Sequence, residues 1–341
     1  MKDKEPILPD LRIADVIAQP FVNQVLHADF LNNELPDKCA QLIIADPPYF
    51  EVKGEFDFIW KSFDDYLKDV EKWAIECKRI LADNGTLFWY GHAKKLAYTQ
   101  VIIDKYFNLE NNIAIEFNRQ TKKGVEEFRC FAPVSERLLM YSNERANYGT
   151  RDLLKIAGEN ISPFARIMKA KMNELKITGN ELAELQLSRN GNKTGWISNK
   201  LSGSEIPTPE QWNLICEKFD IENNYNKLKE QRELELAEWL NNQRPFNNYL
   251  KLFDIMSFDQ EAHITKNYDH DTCKPETLTR ALILTCSREN DLVVVPFAGS
   301  GTECAMSIKE KRRAIGFDVK REYVEMSNAR IRKIVSAPTL F

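Results

Sequence analysis

Residues 292–318 read LVVVPFAGSGTECAMSIKEKRRAIGFD, and the order of elements in that stretch decides the fold. Leu292 to Val295 make a short buried strand, and Phe297-Ala298-Gly299-Ser300-Gly301-Thr302 form a glycine loop. A helix follows, and a second strand, Ala314 to Phe317, ends in Asp318. Two strands separated by a helix pair in parallel, because a parallel neighbour is reached only by a crossover connection. A last helix then carries Tyr323, Val324 and Ile331. Outward from this unit, five more apolar or aromatic runs end in a turn or a carboxylate: Val25 to Ala28, Leu42 to Ala45, Thr86 to Tyr90, Ile113 to Phe117 and Arg137 to Tyr141. Seven strands with helices between many of them predict an α/β protein built on a mostly parallel, doubly wound sheet. The clearest helix starts after Ser62, which with Asp65 makes a capping-box-like beginning. Its apolar side runs Tyr66, Val70, Trp73, Cys77 and Ile80, and Asn84-Gly85 is expected to stop it.

Residues 151 to about 250 break the alternation, with helix-like segments, almost no β-branched alternation and a polar run from Glu222 to Asn248. They read as a helical module inserted into a domain made of residues 1–150 and 251–341. Residues 257–272 are polar and aperiodic, and are expected to form a mobile loop. At 341 residues and 43 % hydrophobic composition the chain supports about two domains. No apolar run approaches the 18 or so residues of a membrane span, and the first twenty residues carry Asp, Glu and Pro where a signal peptide is apolar, so a cytoplasmic protein is expected. The seven cysteines show no CxxC or Cys/His spacing, which argues against zinc and against a disulfide framework. A net charge of −4 does not announce nucleic acid, so any DNA site has to be a local basic patch.

Two motifs carry chemistry. Asp46-Pro47-Pro48-Tyr49 follows the buried run Leu42 to Ala45 directly, at the mouth of the sheet, where such folds bind ligands. An aromatic amine is a poor nucleophile because its lone pair is delocalised into the ring. Two acceptors, the Asp46 carboxylate and the Pro47 carbonyl in a proline-stiffened turn, can take its two N–H groups and localise that pair, with Tyr49 placed to stack on the ring. The second motif is the glycine loop. It lacks the GxxxxGK[ST] pattern of a phosphate loop and the third glycine of a dinucleotide fingerprint, since Cys304 stands in that place. With Asp318 at the next strand end, ready to accept from ribose hydroxyls, it reads as a nucleoside site without a required phosphate.

These residues resemble the amino-group DNA methyltransferases, in the permuted order in which DPPY precedes the target-recognition region and FxGxG follows it. The resemblance covers most of residues 22–145 and 265–335, including Ala28-Asp29, Asn84-Gly85-Thr86-Leu87, Ser135-Glu136, His270 to Pro275 and Arg321-Glu322-Tyr323. It implies a seven-stranded fold and S-adenosylmethionine as methyl donor. It also implies a cofactor site lined by Asp29, Asp46, Thr272, Lys274, Phe297, Gly299, Gly301, Thr302 and Asp318. Catalysis would fall to Asp46, Pro47, Pro48 and Tyr49, with N6 of adenine the acceptor and N4 of cytosine or an amino group on RNA the alternatives; from a different class, the alternative is a helix-turn-helix DNA-binding regulator on an inactive methyltransferase scaffold. Many relatives carry Asp where Pro296 stands here, which removes one contact of that family's loop.

Within the insertion, residues 165–220 resemble a phage-repressor helix-turn-helix, with Thr178 to Leu185 as second helix, Thr194 to Leu201 as recognition helix and Pro209 to Phe219 packed beneath. Residues 165–205 hold seven basic side chains against four acidic ones, a net charge of +3. Recognition helices read base edges from their first turns, which makes Asn192, Lys193, Thr194, Ser198, Asn199 and Lys200 the candidate contacts to double-stranded DNA. By analogy with the family, a homodimer and a companion restriction endonuclease are further expected partners.

Overall fold

The computed structural model of the chain describes residues 23–51, 59–117, 135–143, 157–193, 195–258 and 273–336. The chain divides into two compact units, Met1–Arg145 with Arg244–Phe341, and Ala146–Gln243. The first is built on eight strands: β1 Gln24–His27, β2 Ala40–Ala45, β3 Leu81–Gly91, β4 Asn108–Phe117, β5 Ser135–Ser142, β6 Ile255–Phe258, β7 Leu292–Val295 and β8 Arg313–Asp318. Among the described residues there are ten helices: α1 Phe63–Ile80, α2 Leu96–Ile103, α3 Pro163–Leu175, α4 Gly179–Ala183, α5 Trp196–Leu201, α6 Pro209–Phe219, α7 Tyr225–Asn242, α8 Glu276–Cys286, α9 Thr302–Lys309 and α10 Arg321–Ser336.

The strands form one sheet in the order β1-β8-β7-β2-β3-β5-β4-β6. Only β5 runs against its neighbours, and every other pairing is parallel. Side chains alternate between the two faces with the period of two that a strand imposes. Ile43 and Ala45 of β2 and Leu87 and Trp89 of β3 pack with the buried side of α1 on one face. Leu42, Ile44, Phe88 and Tyr90 pack with α8 and α9 on the other. Both faces are covered, so the central strands read as unbroken apolar runs.

The sequence predicts seven strands, and the eighth is β6. It pairs in parallel with β4 from Ala114↔Ile255 to Phe117↔Phe258 and thereby takes residues 257 and 258 out of the expected loop. Only Met256 of this edge strand is buried, and Ile255 is 68 % exposed, so β6 carries too little apolar pattern to read. Residues 259–272 lie outside the described residues. Helix α1 begins as expected, with the Ser62 hydroxyl accepting the Asp65 N–H at 3.1 Å, but it ends at Ile80 rather than at Asn84-Gly85. The chain enters β3 at Leu81, and the partners of β2 jump from Leu81 to Thr86. Asn84-Gly85 therefore sits in a bulge of a strand and does not stop the helix.

In the second unit, α3 to α6 enclose their own core, which includes Phe164, Met168, Leu182, Ile197, Trp212, Ile215 and Phe219. Thr178 caps α4 through a reciprocal capping box with Glu181, yet the helix stops at Ala183 rather than Leu185. The Ser188 N–H donates to Asn192 O at 2.9 Å, and the Asn192 N–H donates back to Ser188 Oγ at 3.0 Å. This closes a loop around Gly191 at φ +74° and lengthens the connection before α5 begins at Trp196.

Candidate active site

β2 and β7 are neighbours at the middle of the sheet. From β2 the chain goes by α1 to β3 on one side, and from β7 by α9 to β8 on the other. The crevice beyond the carboxyl ends of such a pair is where doubly wound sheets bind ligands. A cavity of about 520 Å³ opens there, walled by Asp46, Pro47, Pro48 and Tyr49 from the end of β2, Phe297 and Gly299 after β7, and Asp318 at the end of β8. Asp29 after β1, Lys274 before α8 and Trp73 of α1 complete the wall.

Nine of the residues singled out from the sequence thus meet in one place, although they span positions 29 to 318. Two others do not reach the wall. Gly301 adopts φ +72° and presses on Ser327, where an added Cβ would come within 2.6 Å of that side chain. Thr302 is fully buried and accepts from Arg330 Nη1 at 2.8 Å, so both shape the loop from behind. Thr272 and Thr194 lie outside the described residues. In the second unit Asn192, Lys193, Ser198 and Asn199 are exposed and Lys200 is half-buried. Lys193 pairs with Glu184 at 2.6 Å, Lys200 pairs with Glu205, and Asn199 donates to Glu205 at 3.0 Å, so part of the expected basic surface is neutralised within the unit.

At the cavity floor the Tyr49 hydroxyl donates to Asp46 Oδ1 at 2.5 Å. The Lys274 ammonium lies 3.0 Å from Asp46 Oδ2, 3.1 Å from Glu136 Oε2 and 4.4 Å from the centre of the Tyr90 ring. Burial works against that charge at 5 % exposure, but Asp46 and Glu136 outweigh it and hold the ammonium well above the usual lysine range. Burial, with Asp46 next, raises the Tyr49 phenol far above its ordinary value, so it stays a neutral donor. His92, at the end of β3, also faces the cavity, and burial with the nearby Lys94 and Lys95 keeps its imidazole below the usual histidine range.

The glycine loop is closed by Asp318, which accepts the Gly299 N–H at 2.9 Å through one oxygen and the Lys320 N–H at 2.8 Å through the other. A carboxylate offers about four acceptor positions, so capacity remains for hydroxyl donors. Trp73 and Phe297 meet edge to face at 5.0 Å and make an aromatic wall, with Phe30 behind Phe297 at 6.3 Å. A strand-end carboxylate for a sugar, aromatic walls for a base and a floor where Asp46 and Glu136 flank the single Lys274 ammonium fit a cationic nucleoside, and fit a phosphate poorly. Sequence reading missed His92, the pairing role of Glu136, and Glu303, whose place in the first turn of α9 looks like an ordinary dipole-favoured surface acid.

Fold and crevice together define a doubly wound α/β methyltransferase. The chain belongs to the N6/N4 DNA methyltransferase family, whose model, described as DNA methylase, matches residues 40–329. It is 23 % identical over 315 residues to the DNA adenine methyltransferase YhdJ of Escherichia coli strain K12, covering 90 % of this chain and 82 % of that protein. Identity to the type II methyltransferase M.HpaI of Haemophilus parainfluenzae is 22 % over 300 residues, 87 % of this chain and 69 % of that one. Among solved structures, the cytosine-N4-specific PvuII DNA methyltransferase is similar in fold, with a TM-score of 0.50, 13 % identity and coverage of 91 % of this chain and 89 % of that chain.

Proposed function

We propose that this DNA methyltransferase moves a methyl group from S-adenosylmethionine to the N6 amino group of adenine in double-stranded DNA, on a base turned out of the duplex. The observation that carries the reading is that the Asp46-Pro47-Pro48-Tyr49 turn faces the same cavity as the Gly299 loop and Asp318. The donor supplies a methyl group activated on a cationic sulfur. Phe297, Gly299, Asp318, Asp29 and Lys274 would hold it, and Gly301 and Thr302 would shape its loop.

The chain's own task is to make the amine nucleophilic and to aim it. The Asp46 carboxylate and the Pro47 carbonyl accept the two N–H groups, and acceptors already fixed in place cost no reorganisation as charge develops on the nitrogen. Tyr49 and Lys274 fix Asp46 from either side. Turning out the base costs a few kcal/mol, which stacking against the cavity wall recovers in part. Aspartate at position 46, where cytosine-N4 enzymes more often carry serine, supports adenine, as does the similarity to YhdJ. The unit Ala146–Gln243 is assigned target recognition, with α4 and α5 as its helix-turn-helix and Asn192, Lys193, Thr194, Ser198, Asn199 and Lys200 as candidate contacts. DPPY before the insertion and FxGxG after it give the permuted order.

Sequencing DNA from cells that express the chain, with modified-base detection, is expected to show N6-methyladenine in one sequence context, and Asp46→Ala is expected to abolish it while cofactor binding persists. N4-methylcytosine would overturn the choice of base, and an active Asp46→Ala would overturn the role of the turn.

A further inference from the structure

Glu303 opens α9 on the wall of the cavity at 5 % exposure. Among the described residues, Asp46 at the end of β2, Cys273 and Lys274 before α8, Arg330 of α10, Tyr90 of β3 and Cys304 beside it are the charged and titratable groups that act on it or feel it. Neither cation forms an ion pair with it. Lys274 is engaged by Asp46 and Glu136, and Arg330 lies 2.5 Å from Glu276. Among the described residues, Glu303 is thus a buried carboxylate without a salt bridge, facing the space where a cationic cofactor fits.

We propose that Glu303 is the variable countercharge of this site: its carboxylate is ionised while the cationic sulfonium donor is bound, and takes a proton once the donor has become a neutral thioether. The proposal rests on the donor assigned above. In the transfer the sulfur–methyl bond breaks with its pair left on sulfur, and the nitrogen lone pair forms the new carbon–nitrogen bond. A nitrogen–hydrogen bond then breaks with its pair left on nitrogen, and the released proton is carried at Glu303. Burial, with the Asp46 charge adding to it, pushes this carboxyl up to about 7, against its own backbone N–H, Lys274 and Arg330. One unit charge gained or lost nearby is enough to switch a group poised there at neutral pH.

Isothermal titration of the full chain, in two buffers of different ionisation enthalpy, tests this at pH 6.5, with S-adenosylmethionine and S-adenosylhomocysteine as the probes. The sulfonium should release roughly three-quarters of a proton from the protein on binding, and the thioether almost none. The ratio of their affinities should rise roughly tenfold from pH 6 to pH 8. In Glu303→Gln, checked for folding by circular dichroism, both differences should vanish. Equal proton release by the two ligands in the wild type would overturn the proposal even if the variant fails to fold, and so would undiminished release in a folded Glu303→Gln. Absence of any sulfonium binding would instead overturn the donor assignment.

Discussion

Lys274 keeps its charge at 5 % exposure because Asp46 and Glu136 bracket it at 3.0 and 3.1 Å. Lys274→Met removes the cation and leaves two carboxylates side by side at the cavity floor. Breaking a buried pair costs a few kcal/mol, and about 3 kcal/mol is expected here, at the low end because the Glu136 side chain is 35 % exposed. The raised lysine value means that this contribution is complete below the ordinary lysine range and is lost only as pH climbs above it. Urea unfolding at pH 7 measures the loss, and a midpoint equal to the wild type would show that the pair contributes nothing to stability. At this scale Asp46 and Asp318 were legible in the sequence because each is a carboxylate where an apolar strand ends, and Gly299 because it is one of two glycines in the loop between a strand and a helix. Lys274 was reached only through resemblance, since nothing local links it to a carboxylate in a distant part of the chain. Glu303 was not legible because burial is a property of the packed molecule.

Among the elements, the turn from β7 into α9 leaves little room for change. Gly301 combines φ +72° with a neighbour too close for a side chain, and that neighbour, Ser327, donates to Gly299 O at 2.8 Å. Gly301→Ala meets a left-handed backbone penalty of about 1–2 kcal/mol and an overpacking cost of about 1–3 kcal/mol. It should lower stability by about 2–5 kcal/mol and weaken cofactor binding, because α10 has to move away from the loop that Asp318 closes. Thermal unfolding with and without S-adenosylmethionine reads both effects, and an alanine variant as stable as the wild type would refute the strain argument. The seven strands read from sequence all exist, because each is buried on two faces or alternates clearly. What escaped was decided elsewhere. β6 exists because the edge of β4 has open backbone groups to pair, and α1 gives way to β3 at Leu81 because Leu81 is fully buried and the Asn143 side chain donates to the Ala82 carbonyl at 2.8 Å.

At the scale of the whole molecule, two separate cores imply two cooperative units. The α3–α6 core centred on Phe164 and Trp212, whose rings meet at 4.9 Å, contains no residue of the sheet unit, while every described residue of the candidate cofactor site belongs to Met1–Arg145 with Arg244–Phe341. A ligand stabilises only the unit that must be folded to bind it, by about 2.7 kcal/mol at a hundred times its dissociation constant. Differential scanning calorimetry is therefore expected to resolve two transitions, of which S-adenosylmethionine raises one and leaves the other in place. Duplex DNA carrying the target sequence should shift the other. That second shift should fall steeply with salt, because affinity that depends on phosphate contacts weakens as counterions compete. It should also be modest for a unit in which Lys193 and Lys200 are already paired with Glu184 and Glu205. A single transition moved as a whole by the cofactor alone would show that the two cores melt as one body and would overturn the assignment of two cooperative units.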